Sequence, residues 1–321
     1  MRAIQVSEHG GPEVLKYTEV ADPQLGPDQL LVETEAIGVN FIDTYIRTGR
    51  YPHPVPYIPG TEGTGVVTEV GAEVTEFAVG DRIAWAAAPG SYAPKVAVPA
   101  EVAIAVPDGV EAPVAASALL QGMTAHYLIE SIYSPEPGES VLVHAGAGGV
   151  GLIITQLLAA RGIRVITTVS SDAKAELSRA AGAAEVLRYG DDLADRVRAL
   201  TDGVGVAAVY DGVGAATFEA SLAALRVRGT LALFGAASGP VPPFDPQRLA
   251  PYGSLFLTRP TLVHYTRDRA ELTWRAGDIL AAIADDTVDI RIGATYPLAE
   301  AEQAHRDLEG RRTTGSIVLI P

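Results

Sequence analysis

The sequence predicts an α/β protein in which a β-rich module is combined with a doubly wound parallel sheet. Three observations predict this class: a glycine-rich loop between an apolar strand and a helix, alternating strands and helices after that loop, and short β-branched runs between Gly/Pro turns before it. With 321 residues, 48% of them hydrophobic, the chain can bury a large core and is expected to form two domains.

The first third of the chain has the pattern of short β-strands. Apolar and β-branched runs alternate there with turn clusters such as His9-Gly10-Gly11-Pro12, which is typical of a barrel-like module. Prolines at 52, 54, 56 and 59 predict a stiff loop, of the kind that often lines a substrate pocket. The predicted strands are Ala3–Val6, Leu30–Ala36, Gly65–Val70, Asp81–Trp85 and Lys95–Val98.

A glycine loop near the middle of the chain organises the rest. The apolar run Val141–Val143 suits a strand covered on both faces, and Gly146, Gly148 and Gly151 follow with the spacing G-x-G-x-x-G. A helix then runs to a stop at Gly162. One glycine makes the tight turn, one lets the backbone approach a pyrophosphate, and one lets helix and strand pack closely. The helix N-terminus favours the same anion. This context favours a dinucleotide-binding site. The alternative is a glycine-rich turn that binds no ligand.

Strands and helices alternate after Pro107, as in a parallel doubly wound sheet. The predicted strands there are Val165–Val169, Glu185–Leu187, Val206–Tyr210, Thr230–Gly235, Ser254–Leu257 and Gly315–Ile320. The predicted helices are Ala112–Ile129, Ala173–Ala181, Leu193–Thr201, Ala216–Ala224, Arg267–Ile283 and Leu298–Leu308.

Composition disfavours several classes of function. The net charge is −15, with 39 acidic against 24 basic residues, and an acidic chain repels a phosphodiester backbone, so no nucleic-acid partner is expected. The absence of cysteine removes disulfides, thiolate nucleophiles and thiolate zinc sites. Ser140–Ala160 is uncharged, but its glycines and Gln156 argue against a membrane span. Because Met1–Val6 has the pattern of a strand and not of a signal peptide, a cytoplasmic protein is expected.

The end of the second strand after the glycines favours NADPH over NADH. An NAD site usually has Asp or Glu there to hold the ribose 2′-hydroxyl. Ser170 is small and uncharged, which leaves room for a 2′-phosphate, and Lys174 offers a cation in the following turn. Tyr189, after the next strand, could donate its hydroxyl to the same phosphate. Asp172 is the opposing feature, because it could turn inward.

A set of motifs spread from end to end carries a family resemblance. The most specific is Gly38-Val39-Asn40-Phe41-Ile42-Asp43-Thr44-Tyr45-Ile46-Arg47-Thr48-Gly49. The others are Gly60-Thr61-Glu62, Gly80-Asp81-Arg82, the glycine loop, Tyr210-Asp211-Gly212-Val213-Gly214, Thr258-Arg259-Pro260 and Thr314-Gly315-Ser316-Ile317. Together they resemble the zinc-free quinone oxidoreductases, the zeta-crystallin-like branch of the medium-chain dehydrogenase/reductase superfamily. The resemblance implies a GroES-like β-rich catalytic domain of residues 1–122 and 263–321, a Rossmann NADPH-binding domain of residues 123–262, and an active site in the cleft.

The resemblance also implies a reaction without zinc. Zinc alcohol dehydrogenases of the superfamily have a zinc-binding cysteine where this chain has Asn40 and a histidine where it has Thr61. Without a metal to polarise an alcohol, alcohol dehydrogenation is not expected, whereas reduction of an electron-poor acceptor is. Ser316 replaces the lysine that is common in the family's Thr-Thr-Gly-Lys ending, so no cation is expected from this end of the chain.

Site residues follow from the same resemblance. It implies an acceptor pocket lined by Asn40, Asp43, Tyr45 and Tyr51, with Thr124 near the nicotinamide carboxamide. It implies cofactor contacts by Gly148, Gly149 and Val150 at the pyrophosphate, by Ser170, Lys174 and Tyr189 at the 2′-phosphate, and by Val213, Phe234, Gly235 and Phe256 along the rest. Structural alternatives stay open: Asn40 could cap a turn, the tyrosines could be half-buried packing residues, and the two phenylalanines could be core. His144 is expected to be a packed histidine and not a base.

The expected reaction is hydride transfer from NADPH to a quinone or similar conjugated carbonyl, with the protein supplying positioning and exclusion of water. Water can protonate the weakly basic product oxyanion, or Tyr45 or Tyr51 could donate to it. One alternative is an enone or 2-alkenal reductase, which must protonate a carbon. Another is a non-catalytic NADPH-binding protein, crystallin-like or RNA-binding. The resemblance further implies a homodimer, formed by sheet pairing near Phe256.

Overall fold

The structure, a computed structural model, describes all 321 residues and contains two compact units. The first unit comprises Met1–Gln121, Asp268–Ala284 and Ile290–Pro321, and the second comprises Gly122–Arg267 and Asp285–Asp289. The predicted domain limits were 122 and 262, and residues 285–289 were expected in the first domain. They lie in the second unit, where the Gln156 side chain donates to the Asp289 carbonyl at 3.2 Å and accepts from its N–H at 2.8 Å.

Strands and helices follow one another in chain order. The strands are β1 (Arg2–Gln5), β2 (Lys16–Glu19), β3 (Gln29–Val39), β4 (Gly63–Val70), β5 (Arg82–Trp85), β6 (Lys95–Pro99), β7 (Ile104–Ala105), β8 (Ser140–Val143), β9 (Arg164–Val169), β10 (Glu185–Arg188), β11 (Val206–Asp211), β12 (Leu225–Leu233), β13 (Phe256–Thr258), β14 (Ile292–Pro297) and β15 (Ser316–Ile320). The helices are α1 (Phe41–Arg47), α2 (Ala112–Tyr127), α3 (Gly149–Ala160), α4 (Asp172–Ala180), α5 (Leu193–Ala199), α6 (Phe218–Ala224), α7 (Arg269–Ala284) and α8 (Ala301–Glu309).

The first unit is built on a sheet of order β14-β15-β3-β4-β5-β7, with β6 also paired to β3. All of its pairs are antiparallel except β14 with β15, and β1 and β2 form a separate hairpin. Alternation along β3 explains the packing, since Leu30, Val32 and Ala36 are buried while Glu33 and Glu35 are exposed. The predicted β-rich module is confirmed.

The second unit contains a six-stranded sheet of order β10-β9-β8-β11-β12-β13, in which every pair is parallel. Val141, Leu142 and Val143 of β8 are fully buried, as a strand covered on both faces requires. Helix α3 follows and stops before Gly162, whose φ is +73°. The predicted doubly wound sheet is confirmed. Its carboxyl edge, where β8 meets α3, is where such sheets bind ligands.

Some elements differ from the sequence prediction. Helix α6 begins at Phe218 and not at Ala216, because residues 213–217 form a turn around the Asp211 carboxylate. Strand β12 begins at Leu225, before the predicted Thr230, and includes Arg228 at a φ of +57°. Helix α1 and strands β2, β7 and β14 were not predicted. No helix combines the length and the apolar character that crossing a membrane would need.

Candidate active site

The glycine loop has one glycine that the fold itself does not demand. A Cβ on Gly146 would lie 2.5 Å from the Thr167 Cβ, and one on Gly151 would lie 2.4 Å from the Ala145 carbonyl oxygen, so both are needed for packing. A Cβ on Gly148 would meet no atom closer than 3.3 Å. Gly148 is the N-cap of α3, beside N–H groups of Gly149 and Val150 that have no partner within the helix. The loop therefore leaves a cradle that fits a pyrophosphate.

The tight turn before this helix is made by an alanine and not by a glycine. Ala145 has a φ of +53°, in the left-handed region that alanine rarely adopts. Its N–H donates to the Tyr189 hydroxyl at 3.1 Å, and the Tyr189 ring stacks on His144 with centroids 6.2 Å apart. Tyr189 thus lies at the glycine loop, although it is far from it in sequence.

The segment after β9 combines an exposed serine with a capped helix and an ion pair. Ser170 is exposed, and the Ser171 hydroxyl caps α4 by accepting the Lys174 N–H at 3.3 Å. Asp172, which argued against NADPH in the sequence, forms an ion pair with Arg188 at 2.5 Å. Because β9 and β10 pair in parallel with Arg188 beside Val169, a second cation lies at this edge of the sheet, and sequence reasoning missed it.

A buried aspartate holds the loop at the end of β11. Asp211 is fully buried, and its Oδ1 accepts the N–H groups of Val213 at 2.8 Å and Gly214 at 3.0 Å. Its Oδ2 accepts the hydroxyls of Thr217 at 2.7 Å and Ser221 at 2.8 Å. Asp211 therefore fixes the backbone at Val213. An acidic residue directly after an apolar strand was the signal for it in the sequence.

His144 is a packed histidine, as expected. Its Nδ1 lies 2.8 Å from the Thr168 hydroxyl and its Nε2 lies 3.0 Å from the Ser221 hydroxyl. Burial lowers its pKa, so the ring is neutral and both nitrogens are already used. Nothing in this arrangement leaves it free to act as a base.

The two predicted phenylalanines lie in different places. Phe234 follows β12 at the carboxyl edge, where its carbonyl accepts from Arg259 at 2.7 Å and its ring lies 2.9 Å from where a Cβ on Gly212 would be. Gly235 packs as closely, since a Cβ there would lie 2.3 Å from the Gly212 carbonyl oxygen. Phe256 instead begins the edge strand β13, where it pairs with Thr230 and is 61% exposed. It is neither core nor at the carboxyl edge, unlike the other residues proposed for the cofactor.

The predicted acceptor residues are brought together on and beside α1. Asn40 is its N-cap, and the Asn40 N–H donates to the Asp43 carboxylate at 2.8 Å. Tyr45 and Tyr51 pack edge to face with centroids 5.6 Å apart, and the Arg50 guanidinium lies 4.6 Å above the Tyr45 ring. Thr124, the remaining predicted contact, is buried on α2. Asn40 and Asp43 are themselves buried, so their main partners are inside the protein.

Asn40 is held by residues that sequence reasoning missed. Its Nδ2 donates to the Glu62 carboxylate at 2.7 Å, and its Oδ1 accepts from Gln121 Nε2 at 3.2 Å. The Glu62 carboxylate also accepts the Leu120 N–H at 2.8 Å, and the Ser316 hydroxyl donates to Gln121 at 2.9 Å. These residues come from distant parts of the sequence. Glu62 and Ser316 lie in motifs that the sequence showed, but neither motif indicated a contact with Asn40, and Gln121 had no signal.

A second polar chain leads from Asp43 towards the surface. The Tyr92 hydroxyl donates to Asp43 at 3.1 Å and lies 2.9 Å from His305 Nε2. His305 Nδ1 lies 3.0 Å from Arg47, which pairs with the partly exposed Glu309 at 2.6 Å. All of these groups except Glu309 are buried.

Burial shifts the ionisation of this cluster strongly. It raises the pKa of Asp43 to about 7 and the pKa of Glu62 to about 8, in each case against the hydrogen bonds that the carboxylate accepts. It lowers the pKa of His305 to about 3, so that ring is neutral. The cluster therefore contains two carboxyl groups that exchange protons near neutral pH. No group of three or more His, Asp or Glu side chains is placed to hold a metal ion.

Comparison with known proteins identifies the family. Residues 26–108 match the family described as "Alcohol dehydrogenase GroES-like domain", and residues 149–276 match "Zinc-binding dehydrogenase". A quinone oxidoreductase of Pseudomonas aeruginosa is 44% identical over 100% of this chain and 99% of its own. A 2-haloacrylate reductase of a Burkholderia species is 40% identical over 99% of this chain and 98% of its own. A mycobacterial protein solved in complex with NADPH is 56% identical, with a TM-score of 0.98 and 100% of both chains covered.

The two matched families define a medium-chain dehydrogenase/reductase, which confirms the predicted combination of a GroES-like and a Rossmann fold. Within that superfamily, the chain belongs to the quinone oxidoreductase family.

Proposed function

We propose that this protein transfers hydride from NADPH to a quinone without the help of zinc. The observation that supports this proposal is the arrangement of side chains in the segment that follows β9. There Ser170 leaves space, Lys174 supplies a cation, and Asp172 is paired with Arg188. This is the arrangement that a 2′-phosphate needs and that an NAD-specific site lacks.

The proposed cofactor residues each have a physical role. The cradle at Gly148, Gly149 and Val150 suits the pyrophosphate. The Tyr189 hydroxyl, beside the loop, would join Lys174 at the 2′-phosphate. When bound, the nicotinamide supplies the hydride. The remaining proposed contacts are made by Thr124, Val213, Phe234 and Gly235.

The proposed acceptor residues supply positioning more than proton transfer. Asn40, Asp43, Tyr45 and Tyr51 would line the pocket, and the Tyr51 ring, which is 38% exposed, would pack against a planar quinone. A quinone gains little from a strong acid, because its reduced oxyanion is a weak base that water can protonate. A tyrosine hydroxyl could donate a hydrogen bond to that oxygen. Asn40 and Thr61 stand where zinc-dependent relatives have metal ligands, which supports a reaction without metal.

The first experiment follows NADPH absorbance with a panel of small quinones and enones, with NADH in parallel. Quinone turnover with a strong preference for NADPH is the expected result. A preference for NADH would contradict the roles of Ser170 and Lys174. No turnover with any acceptor would contradict the enzymatic function and favour a binding protein.

A second candidate is reduction of a conjugated carbon–carbon double bond. The 2-haloacrylate reductase among the relatives supports it, and so does Asp43, whose raised pKa would let it hold a proton near neutral pH. Such a reaction must protonate a carbon, which water does slowly. Turnover of enones or 2-haloacrylate without turnover of quinones would favour this candidate.

We further propose that the protein is a cytoplasmic homodimer that binds no nucleic acid. Strand β13 is a sheet edge, and Phe256 and Val227 beside it are 61% and 68% exposed. An apolar edge strand of this kind is a ready surface for pairing with another sheet. The net charge of −15 opposes binding of a phosphodiester backbone.

A further inference from the structure

The hydrogen bonds around Asn40 form one chain with a direction. Ser316 donates to Gln121, Gln121 donates to Asn40, and Asn40 donates to Glu62, over distances of 2.9, 3.2 and 2.7 Å. The four residues are between 0% and 8% exposed. Water therefore cannot readily replace a lost partner, and each bond depends on its neighbours.

The direction is set at the Glu62 end. One carboxylate oxygen of Glu62 accepts the backbone N–H of Leu120 at 2.8 Å, and the other faces the Asn40 amide. Above the Glu62 pKa of about 8 the carboxylate is ionised and can only accept, so Nδ2 of Asn40 must point towards it. The oxygen of Asn40 then points to Gln121, which must donate to it. Turning one amide alone would place two donors or two acceptors together, so the chain can only reverse as a whole. Ser316 permits reversal, because a hydroxyl can donate or accept.

We propose that Glu62 is a positioning residue that sets the direction of this chain and so keeps an Nδ2 hydrogen of Asn40 available to the carbonyl oxygen of the acceptor. The inference rests on the proposed function, in which Asn40 lines the acceptor pocket. Asn40 Nδ2 makes one hydrogen bond, to Glu62, which leaves its second hydrogen for a ligand. Ser316 ends the chain at the position where a lysine would have been expected.

Substitution Glu62→Gln tests the direction with almost no change of shape. The glutamine oxygen must accept the Leu120 N–H, so its NH₂ group faces Asn40 and the whole chain reverses, ending with Gln121 donating to Ser316. Asn40 then presents its oxygen where the wild type presents a hydrogen. We expect kcat with a quinone to fall about tenfold, the effect of one misplaced hydrogen bond, while KM for NADPH stays unchanged. The comparison is made well above the pKa of Glu62, where the wild-type carboxyl is ionised.

A compensating pair separates the direction of the chain from its stability. In Gln121→Glu, at a pH where the new carboxyl is ionised, it cannot donate to Asn40, so we expect a lower thermal midpoint. In the double variant Glu62→Gln/Gln121→Glu, Gln at 62 donates to Asn40, Asn40 donates to Glu at 121, and Ser316 donates to the same carboxylate. Every group has a partner again, but the direction is reversed. We expect the thermal midpoint to recover and kcat to stay low.

The pH profile gives a further readout that a structural role alone would not move. A proton on Glu62 would reverse the chain as the glutamine does, so wild-type kcat should rise with pH as Glu62 ionises, and this rise should be missing from Glu62→Gln, whose kcat stays low. The titratable group acting on Glu62 is Asp43, on α1. The neighbours from α2 are the N–H groups of Leu119 and Leu120 and the neutral Gln121, and β3 contributes Gly38. Asp43 is present in both proteins, so a dependence on its own titration remains in Glu62→Gln, and only the rise that comes from Glu62 is lost.

The control is Glu35→Gln, which removes a partly exposed carboxylate of β3 that pairs with Arg82 at 2.8 Å. It should change neither kcat nor its pH profile. The inference is overturned if the double variant is no more stable than Gln121→Glu, or if it regains wild-type kcat. If the wild type reduced no acceptor, the proposed function would be wrong instead. The thermal midpoint of the double variant would still decide whether Glu62 sets the direction of the chain.

Discussion

The role expected of Asp172 from the sequence differs from its position in the structure. In the sequence it opposed an NADPH site, because an acid near the ribose favours NADH. In the structure its carboxylate pairs with Arg188, whose position in β10 is beside Val169 at the end of β9. The carboxylate that argued for NADH in the sequence is thus already paired with a cation in the structure.

Removal of the Lys174 charge should weaken NADPH binding selectively. For Lys174→Ala, we expect the Kd for NADPH to rise about tenfold or more, since a charge-assisted bond to phosphate contributes about 1.5–3 kcal/mol. The Kd for NADH should stay unchanged, as measured by fluorescence titration. Lys16→Ala, at an exposed lysine of β2, is the matched control. An equal loss of affinity for both nucleotides would contradict the assignment.

Two buried carboxyl groups should make the protein less stable as pH rises. Their pKa values in the folded state, about 7 for Asp43 and about 8 for Glu62, lie above the ordinary values of 3.8 and 4.5. The folded state therefore holds more protons, and the stability this gives is lost as pH rises through the folded pKa values. We expect the free energy of unfolding, from urea titrations, to fall across this range. Asp43→Asn and Glu62→Gln should each make the free energy of unfolding fall less steeply with pH. An unchanged slope in both variants would contradict this explanation.

Sequence reasoning could find the motif around Asn40 but not its support. Glu62, Gln121 and Ser316 meet Asn40 only because β4, α2 and β15 converge there, and no local pattern records such a meeting. Ser316 even had the opposite meaning in the sequence, as the loss of an expected cation. The glycine loop was easier, because strand, loop and helix are contiguous.

At the scale of the element, the two glycines at the start of α3 should respond differently to the same substitution. Gly151→Ala places a Cβ 2.4 Å from the Ala145 carbonyl oxygen, so we expect a loss of about 1–3 kcal/mol in the free energy of unfolding. Gly148→Ala meets nothing closer than 3.3 Å and should fold normally, but it should lose most of its affinity for NADPH. Urea unfolding and fluorescence titration measure the two effects. Similar behaviour of both variants would refute the cradle at Gly148.

Elements with a clear hydrophobic pattern in the sequence could be predicted. Elements that depend on tertiary contacts could not. The buried strand β8 and helix α3 follow directly from an apolar run and a glycine signature. Helix α1 is only seven residues long and depends on the Asn40–Asp43 cap. Strand β14 alternates between exposed and half-buried positions and exists because it pairs with β15.

For the whole molecule, the exposed edge strand β13 makes oligomerisation testable. We expect the wild type to elute as a dimer, and Phe256→Lys to elute as a monomer, because a lysine on an edge strand opposes sheet pairing. Size-exclusion chromatography with light scattering measures both masses. Val204→Lys, at another exposed apolar residue of the second unit, should leave the mass unchanged. A monomeric wild type, or a variant that stays dimeric, would contradict the proposed dimer.

The interruption of the first unit by the second has a consequence for synthesis of the chain. Strand β3 pairs with β15, so the ribosome must complete nearly the whole chain before β3 gains this neighbour. The strands of the second unit, from β8 to β13, are made in one uninterrupted stretch and can pair while the C-terminal segment is still being translated. During that interval β4 and β6 already pair with β3, but Ile37–Val39 at its C-terminal end lack the partner that β15 supplies. The nascent chain is then most exposed to wrong pairing there, and this risk ends when β15 emerges.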